Sequence, residues 1–250
     1  MAHLRLEHTD ERVAVVTLDD PRRRNALSLG LCSELAATMT TLAEDDRTGA
    51  VVVTGAGAAF CAGADLSELG DSREDGLRAI YDGFLAVAAS PLPTVAAVNG
   101  PAVGAGLNLA LACDLRIAGS EARFDCRFLE LGIHPGGGHT WMLRRLVGPR
   151  TAAAMVLFGE ILDAEAAVRR GLAWERTSAS PLDRAIELAA AAAGVPRELS
   201  TATKSTLAEV AHIAEHDAAV DHELAKQVAS MDSPAFAQRL AALRTRISAD

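Results

Sequence analysis

The sequence predicts an α/β fold with largely parallel strand pairing, followed by a purely helical tail. Three observations carry that expectation. Short β-branched runs alternate with helical stretches up to about Trp174. Beyond Pro181 only alanine-rich segments with apolar spacings of three and four remain. The chain has 250 residues, half of them apolar, enough to bury one substantial core near the upper size of a single domain, and no linker divides it.

The strand candidates in chain order are VAVVTL (Val13–Leu18), AVVVT (Ala50–Thr54), TVAAV (Thr94–Val98) and LRIA (Leu115–Ala118). An apolar helix should start near Ala105, directly after the third of these and a glycine-rich turn. The tail predicts helices over Ala185–Ala193, Leu207–Met231 and Pro234–Ile247. Residues 1–195 are expected to form the core region and 196–250 the C-terminal helical region. Aromatic residues make up only 4% of the chain, so Val, Leu and Ala must fill its core. An apolar helical tail of this kind often docks on a neighbouring subunit.

Composition excludes several roles. A formal net charge of −9 argues against nucleic acid or an anionic membrane as a main partner, because both demand a broad basic face. The four cysteines, Cys32, Cys61, Cys113 and Cys126, show neither CxxC spacing nor a disulfide framework and are expected to be reduced core residues. The N-terminal segment MAHLRLEHTDERVAVV is too charged for a signal peptide, and no apolar run reaches membrane-spanning length, so a cytoplasmic location is expected.

Two glycine-rich segments carry the chemistry: FCAGADL (Phe60–Leu66) and VNGPAVGAGLNLALACDL (Val98–Leu115), each following an apolar strand. A tight Gly/Ala turn running into a helix leaves N–H groups without internal acceptors and without side chains to cover them. Two such donors aimed at one point polarise a carbonyl. With RRRNALS (Arg22–Ser28), FDCRFLELGIHPGGGHT (Phe124–Thr140) and GLAWER (Gly171–Arg176) in the same order, the chain resembles the enoyl-CoA hydratase/isomerase (crotonase) family.

That resemblance implies a spiral of ββα units with a C-terminal region that builds a homotrimer or homohexamer. It implies an acyl-CoA thioester as substrate or ligand, with no other cofactor and no metal. The thioester oxygen would rest between the N–H groups of Ala64 and Ala105. Arg24, Ala26, Leu27, Ala62, Asp65, Leu66, Asn108 and Phe128 carry over as substrate-binding positions, with Ala62, Ala64 and Leu66 meeting the adenine through backbone groups. Arg22, Arg23 and Arg24 follow Pro21 in a predicted loop, where guanidinium groups suit the phosphates of CoA.

An oxyanion hole stabilises an enolate or a tetrahedral adduct without choosing the reaction. That choice belongs to the acids and bases over the α and β carbons. Here the chain departs from the family pattern. The two hydratase glutamate positions fall on Asn108 and Phe128, and the acid that some isomerases carry after the following proline falls on Gly136. Glu130 and His134 are the candidate replacements, while His139 suits a structural bond to the glycine loop or the next helix. Asp65 and Asp114 suit loop orientation. Two readings stay open: a lyase or isomerase acting on CoA thioesters, or an acyl-CoA-binding protein without chemistry. His212-Ile213-Ala214-Glu215-His216 matches an HxxEH zinc string, but without a third ligand it reads as a polar helix face.

Overall fold

The computed structural model describes residues 4–68 and 73–247. In chain order it contains β1 (Leu4–His8), β2 (Val13–Leu18), α1 (Leu29–Glu44), β3 (Ala50–Gly55), α2 (Arg73–Ala88), β4 (Thr94–Val98) and β5 (Pro101–Val103). There follow α3 (Ala105–Ala112), β6 (Leu115–Ala118), β7 (Arg123–Asp125), α4 (His139–Leu157), β8 (Leu162–Asp163), α5 (Ala164–Arg169) and β9 (Glu175–Arg176). The remainder is helical: α6 (Pro181–Ala193), α7 (Arg197–Val210), α8 (His216–Met231) and α9 (Pro234–Ile247).

The main sheet has the order β1-β2-β3-β4-β6-β9, parallel at every junction except the antiparallel β1–β2 pair. Strands β2, β3 and β4 are buried along their whole length, because both faces of the sheet are covered. On one face Ala14, Val16, Val51, Val53, Ala96 and Val98 join the large core shared with α1, α2 and α3. On the other, Val13, Val15, Val52, Val95, Ala97 and Ile117 meet Ala185, Ala189 and Ala193 of α6. A strand buried on both faces is apolar at successive positions, which is why VAVVTL shows no alternation. Strand β1 lacked a sequence signal because four of its five residues are exposed at the sheet edge. A second sheet has the order β5-β7-β8.

The chain divides into two compact units, residues 1–194 and 195–250. The helices beyond Pro181 are therefore of two kinds, and α6 closes the core of the first unit. Small side chains at every fourth position let α6 lie close on the sheet, and a Cβ added to Gly49 would come within 2.8 Å of the Ala193 Cα. In the second unit the expected single helix over Leu207–Met231 is two helices. The chain leaves α7 after Val210 and re-enters α8 at His216, and Glu209 Oε2 meets His222 Nε2 at 2.6 Å across the pair. The break holds neither Gly nor Pro, so composition gives no sign of it. It also removes the continuous helix that the HxxEH reading required.

Arg116 fixes the end of α3 that points away from the glycine turns. The residue is 5% exposed, and its guanidinium donates to carbonyls: Nε to Leu172 O at 2.7 Å, and Nη1 to Cys113 O at 2.6 Å and Ala110 O at 3.3 Å. A cation at a helix C-terminus satisfies carbonyls that have no partner within the helix. Arg116→Leu should destabilise the protein by about 3 kcal/mol, since charge-assisted bonds are lost and buried acceptors are left without donors. Urea unfolding of the two proteins checks this, and a loss under ~1 kcal/mol would contradict it.

Candidate active site

Backbone pairing brings the two glycine-rich segments together. Cys61 N–H donates to Pro101 O at 3.1 Å, and Val103 N–H donates back to Cys61 O at 3.0 Å. Leu27 N–H donates to Gly63 O at 2.8 Å, and Asp65 N–H to Leu27 O at 2.9 Å, so Ala64 sits between two bonded neighbours. Its own N–H takes no part in that bridge. Ala105 opens α3, whose first bond runs from Asn108 N–H to Gly104 O at 3.1 Å. Among the described residues, neither the Ala64 nor the Ala105 N–H has a protein acceptor. Glycine is required at the contact. Gly104 has φ +53°, and a Cβ on Gly106 would overlap the Cys61 carbonyl oxygen.

Ala64 and Ala105 both line a cavity of about 720 Å³. Its apolar wall includes Leu77, Ile80, Val103, Phe128 and Ile133; its polar groups come from Arg73, Tyr81, Asn108, Arg127 and His134. Among the described residues the lining holds no carboxylate.

Asn108 and Phe128 both face this cavity, yet neither offers an exchangeable acid. Asn108 is 1% exposed, and both ends of its amide are bonded. Its Nδ2 donates to Gly136 O at 3.0 Å, and its Oδ1 lies 2.7 Å from His139 Nδ1. With the amide oxygen facing the ring, Nδ1 must carry the proton. Nε2 is then the acceptor for the Cys126 thiol, 3.1 Å away. Burial pushes the His139 pKa down to about 4 and the Cys126 pKa up to about 12. The cluster is neutral, and the Phe128 ring closes it, edge to face with His139 at 4.9 Å.

The two candidate replacements separate. His134 lines the cavity, with its Nδ1 2.8 Å from Pro135 O. Glu130 does not line it. Its carboxylate is 73% exposed and lies 3.1 Å from Arg127 Nε. The backbone explains the divergence, because Arg127 has φ +56° and the turn after it sends Phe128 and Glu130 in different directions. Gly136 sits under α2, whose Tyr81 ring fills the adjoining space.

Of the loop residues, Leu27 is buried, and Ala26 and Ala62 are half-buried. Arg24 is exposed in a left-handed conformation, with φ 51°, and its carbonyl accepts from Ala62 N–H at 2.9 Å. Arg23 is not free for phosphates, since it is ion-paired with Asp65 and lies 3.5 Å from Glu68. Asp65 also accepts from Ser67 N–H at 3.1 Å, and Asp114 from Thr94 N–H at 2.7 Å, so both carboxylates orient backbone. Leu66 opens the short 3-10 turn Leu66–Glu68. Sequence reasoning missed Asn25, fully buried, whose Nδ2 donates to Ala56 O at 2.9 Å and Ala59 O at 2.8 Å, joining the arginine loop to the first glycine segment. It also missed Tyr81, which no spacing marked.

The buried His139 makes stability depend on pH. Unfolded, the imidazole takes a proton near pH 6.5, whereas the folded protein refuses it until about pH 4. Between those values the unfolded state binds more protons, so stability is fully present above about 6.5 and declines as pH falls toward 4. The expected loss from this group is about 3 kcal/mol. His139→Gln should be less stable at pH 7 and should lose less between pH 6.5 and pH 4. Equal losses in both proteins, measured by urea midpoints across that window, would contradict the assignment.

The chain is similar to known proteins over nearly its whole length. The family model described as enoyl-CoA hydratase/isomerase matches residues 8–239. The "probable enoyl-CoA hydratase EchA14" of Mycobacterium tuberculosis is 52% identical, over 95% of this chain and 96% of that protein. The 4-chlorobenzoyl coenzyme A dehalogenase-2 of an Arthrobacter species is 34% identical, over 98% and 91%. Among solved structures, an enoyl-CoA hydratase from Bacillus anthracis superposes with a TM-score of 0.92 at 29% identity, covering 97% of this chain and 96% of that one. A putative enoyl-CoA hydratase/isomerase from Mycobacterium abscessus gives a TM-score of 0.90 at 32% identity, covering 98% and 97%. The chain has the crotonase fold, and it belongs to the enoyl-CoA hydratase/isomerase family.

Proposed function

We propose that this protein binds acyl-CoA thioesters and stabilises the thioester enolate, with the carbonyl oxygen between the N–H groups of Ala64 and Ala105. The observation that carries the reading is the pair of unpartnered N–H groups on one cavity wall. Developing negative charge on the oxygen gains most from fixed dipoles in a site that water does not fill. Arg24, Ala26, Leu27, Ala62, Asp65 and Leu66 flank the path for the CoA moiety, with Ala62, Ala64 and Leu66 offering backbone groups to the adenine. Asn108 and Phe128 shape the acyl pocket. The reaction needs no other cofactor and no metal, and the protein works in the cytoplasm.

The chemistry is that of a lyase or isomerase with weak hydration. Water addition to an enoyl thioester needs a base for the water and an acid for the α-carbon. The positions that would supply them hold Asn108 and Phe128, and Glu130 points to solvent beside Arg127. His134 remains as the histidine on the cavity wall. A binding protein without turnover is the second reading, favoured by the same carboxylate-free lining.

Assembly as a homotrimer or homohexamer accompanies this reading. Helix α8 exposes Val220, Leu224, Val228 and Met231 along one stripe, and such a stripe gains stability when a second subunit covers it. Light scattering at micromolar concentration should give a trimer or a multiple of it, and a monodisperse monomer would contradict this.

Calorimetry with butyryl-CoA and crotonyl-CoA should detect binding, and failure to bind either would remove the acyl-CoA reading. Ala64→Pro deletes one donor and should lower turnover of any productive thioester about 10²–10³-fold. Hydration of crotonyl-CoA should run about 10²–10⁴-fold below a two-glutamate hydratase for each missing group. Rates near that of such a hydratase would overturn the assignment of Asn108 and Phe128 as inert.

A further inference from the structure

Helix α2 supplies a cavity-lining hydroxyl whose chemistry the site has not used. Tyr81 lines the cavity, and its ring rests on Phe84 with centroids 5.7 Å apart. Both rings pack on the glycine loop between His134 and His139. A Cβ on Gly136 would overlap the Tyr81 Oη and lie 3.1 Å from its Cζ, and a Cβ on Gly137 would overlap the Phe84 ring. The phenol oxygen thus occupies the space where a side chain at position 136 would begin. Among the described residues this hydroxyl makes no hydrogen bond to protein.

Several other proton-bearing groups of the wall have protein partners. Asn108 is bonded to Gly136 and His139. The Cys126 thiol is bonded to His139. Arg127 is paired with Asp125 and Glu130. The His134 Nδ1 lies against the Pro135 carbonyl. The half-buried Tyr81 opens its hydroxyl to the cavity, where whatever fills the cavity can bond it.

We propose that Tyr81 is a catalytic residue: its hydroxyl delivers the proton that converts a bound thioester enolate into the neutral acyl-CoA. The assignment rests on the acyl-CoA reading above. In the step, the Tyr81 O–H bond breaks and a C–H bond forms at the α-carbon. The electron pair of the enolate oxygen returns to the carbonyl held at Ala64 and Ala105, and the phenolate recovers a proton from water. In reverse, the phenolate removes an α-proton and the two N–H groups receive the enolate charge. This supplies acid–base work at the α-carbon without a carboxylate, whatever reaction forms the enolate.

Tyr81 is the single tyrosine of the chain, so replacing tyrosine biosynthetically with 3-fluorotyrosine alters this phenol alone. The experiment follows α-proton exchange of butyryl-CoA in D2O by NMR, with affinity measured in parallel by calorimetry. Wild-type protein should exchange the α-protons, and Tyr81→Phe should lose about 10²-fold or more of that rate while binding butyryl-CoA as before. The fluorinated phenol is more acidic and should move the pH dependence of exchange to lower pH. Arg73, Arg127, His134 and Cys126 are the other titratable groups on the cavity wall, and fluorination touches none of them. Exchange by Tyr81→Phe within about threefold of wild type would overturn the proposal, as would absence of exchange in a wild-type protein that binds butyryl-CoA. If Tyr81→Phe fails to fold, the fluorinated protein decides by the presence or absence of the shift. Failure of wild type to bind any acyl-CoA instead removes the acyl-CoA reading, and the Tyr81 assignment with it.

Discussion

The close approach of Gly106 to the Cys61 carbonyl is the contact on which the site depends. Helix α3 has eight residues, too few to be stable by its own hydrogen bonds, so packing sets its position. Every one of those residues is buried. One end is pressed against the Cys61 segment through a glycine that permits backbone contact, and the other is held by the Arg116 guanidinium. Pinned at both ends, the helix presents its first N–H at a fixed place beside that of Ala64. Preorganised donors cost no rearrangement when charge develops on a bound oxygen.

Neutrality of the Asn108–His139–Cys126 cluster follows from burial. A carboxylate at position 108 would be buried next to His139 and Cys126, with no cation in the cluster to offset its desolvation. The amide there satisfies Gly136 and His139 without charge, and burial holds the imidazole unprotonated and the thiol protonated. The cluster is a rigid, uncharged floor. It has the nucleophile, imidazole and amide of a Cys–His–Asn relay, but a thiol held near 12 and an imidazole near 4 leave the pair neutral at physiological pH, so its part here is positional.

Much of the fold was legible in the sequence because burial on both sheet faces writes itself as apolar runs, and β2, β3, β4 and β6 stand where those runs are. The meeting of the two glycine-rich segments was legible because glycine is the residue that permits a backbone to meet a backbone, as at Gly106. Glu130, a candidate acid by its place near Phe128, is turned to solvent after the left-handed Arg127, a backbone feature that no side-chain pattern announced. The ends of α7 and α8 were invisible because the Glu209–His222 contact that accompanies the turn links residues 13 apart and leaves no local breaker. Tyr81 was invisible for a deeper reason. Its place is defined by a loop more than fifty residues away, and no periodicity within α2 reports that.

The glycines after Pro135 take on meaning only together with α2. Position 136 and position 81 contend for one volume, so a side chain at 136 requires the ring at 81 to shrink or move, and a smaller residue at 81 would open a void over Gly136. The two positions are thermodynamically coupled, and changes at them will not add. Where the loop bears a carboxylate, α2 must recede; where α2 bears a large ring with a polar tip, the loop must be glycine. This chain has taken the second arrangement. This polar group on the cavity wall therefore comes from a helix packed into the main core, while the loop supplies the space into which its hydroxyl projects.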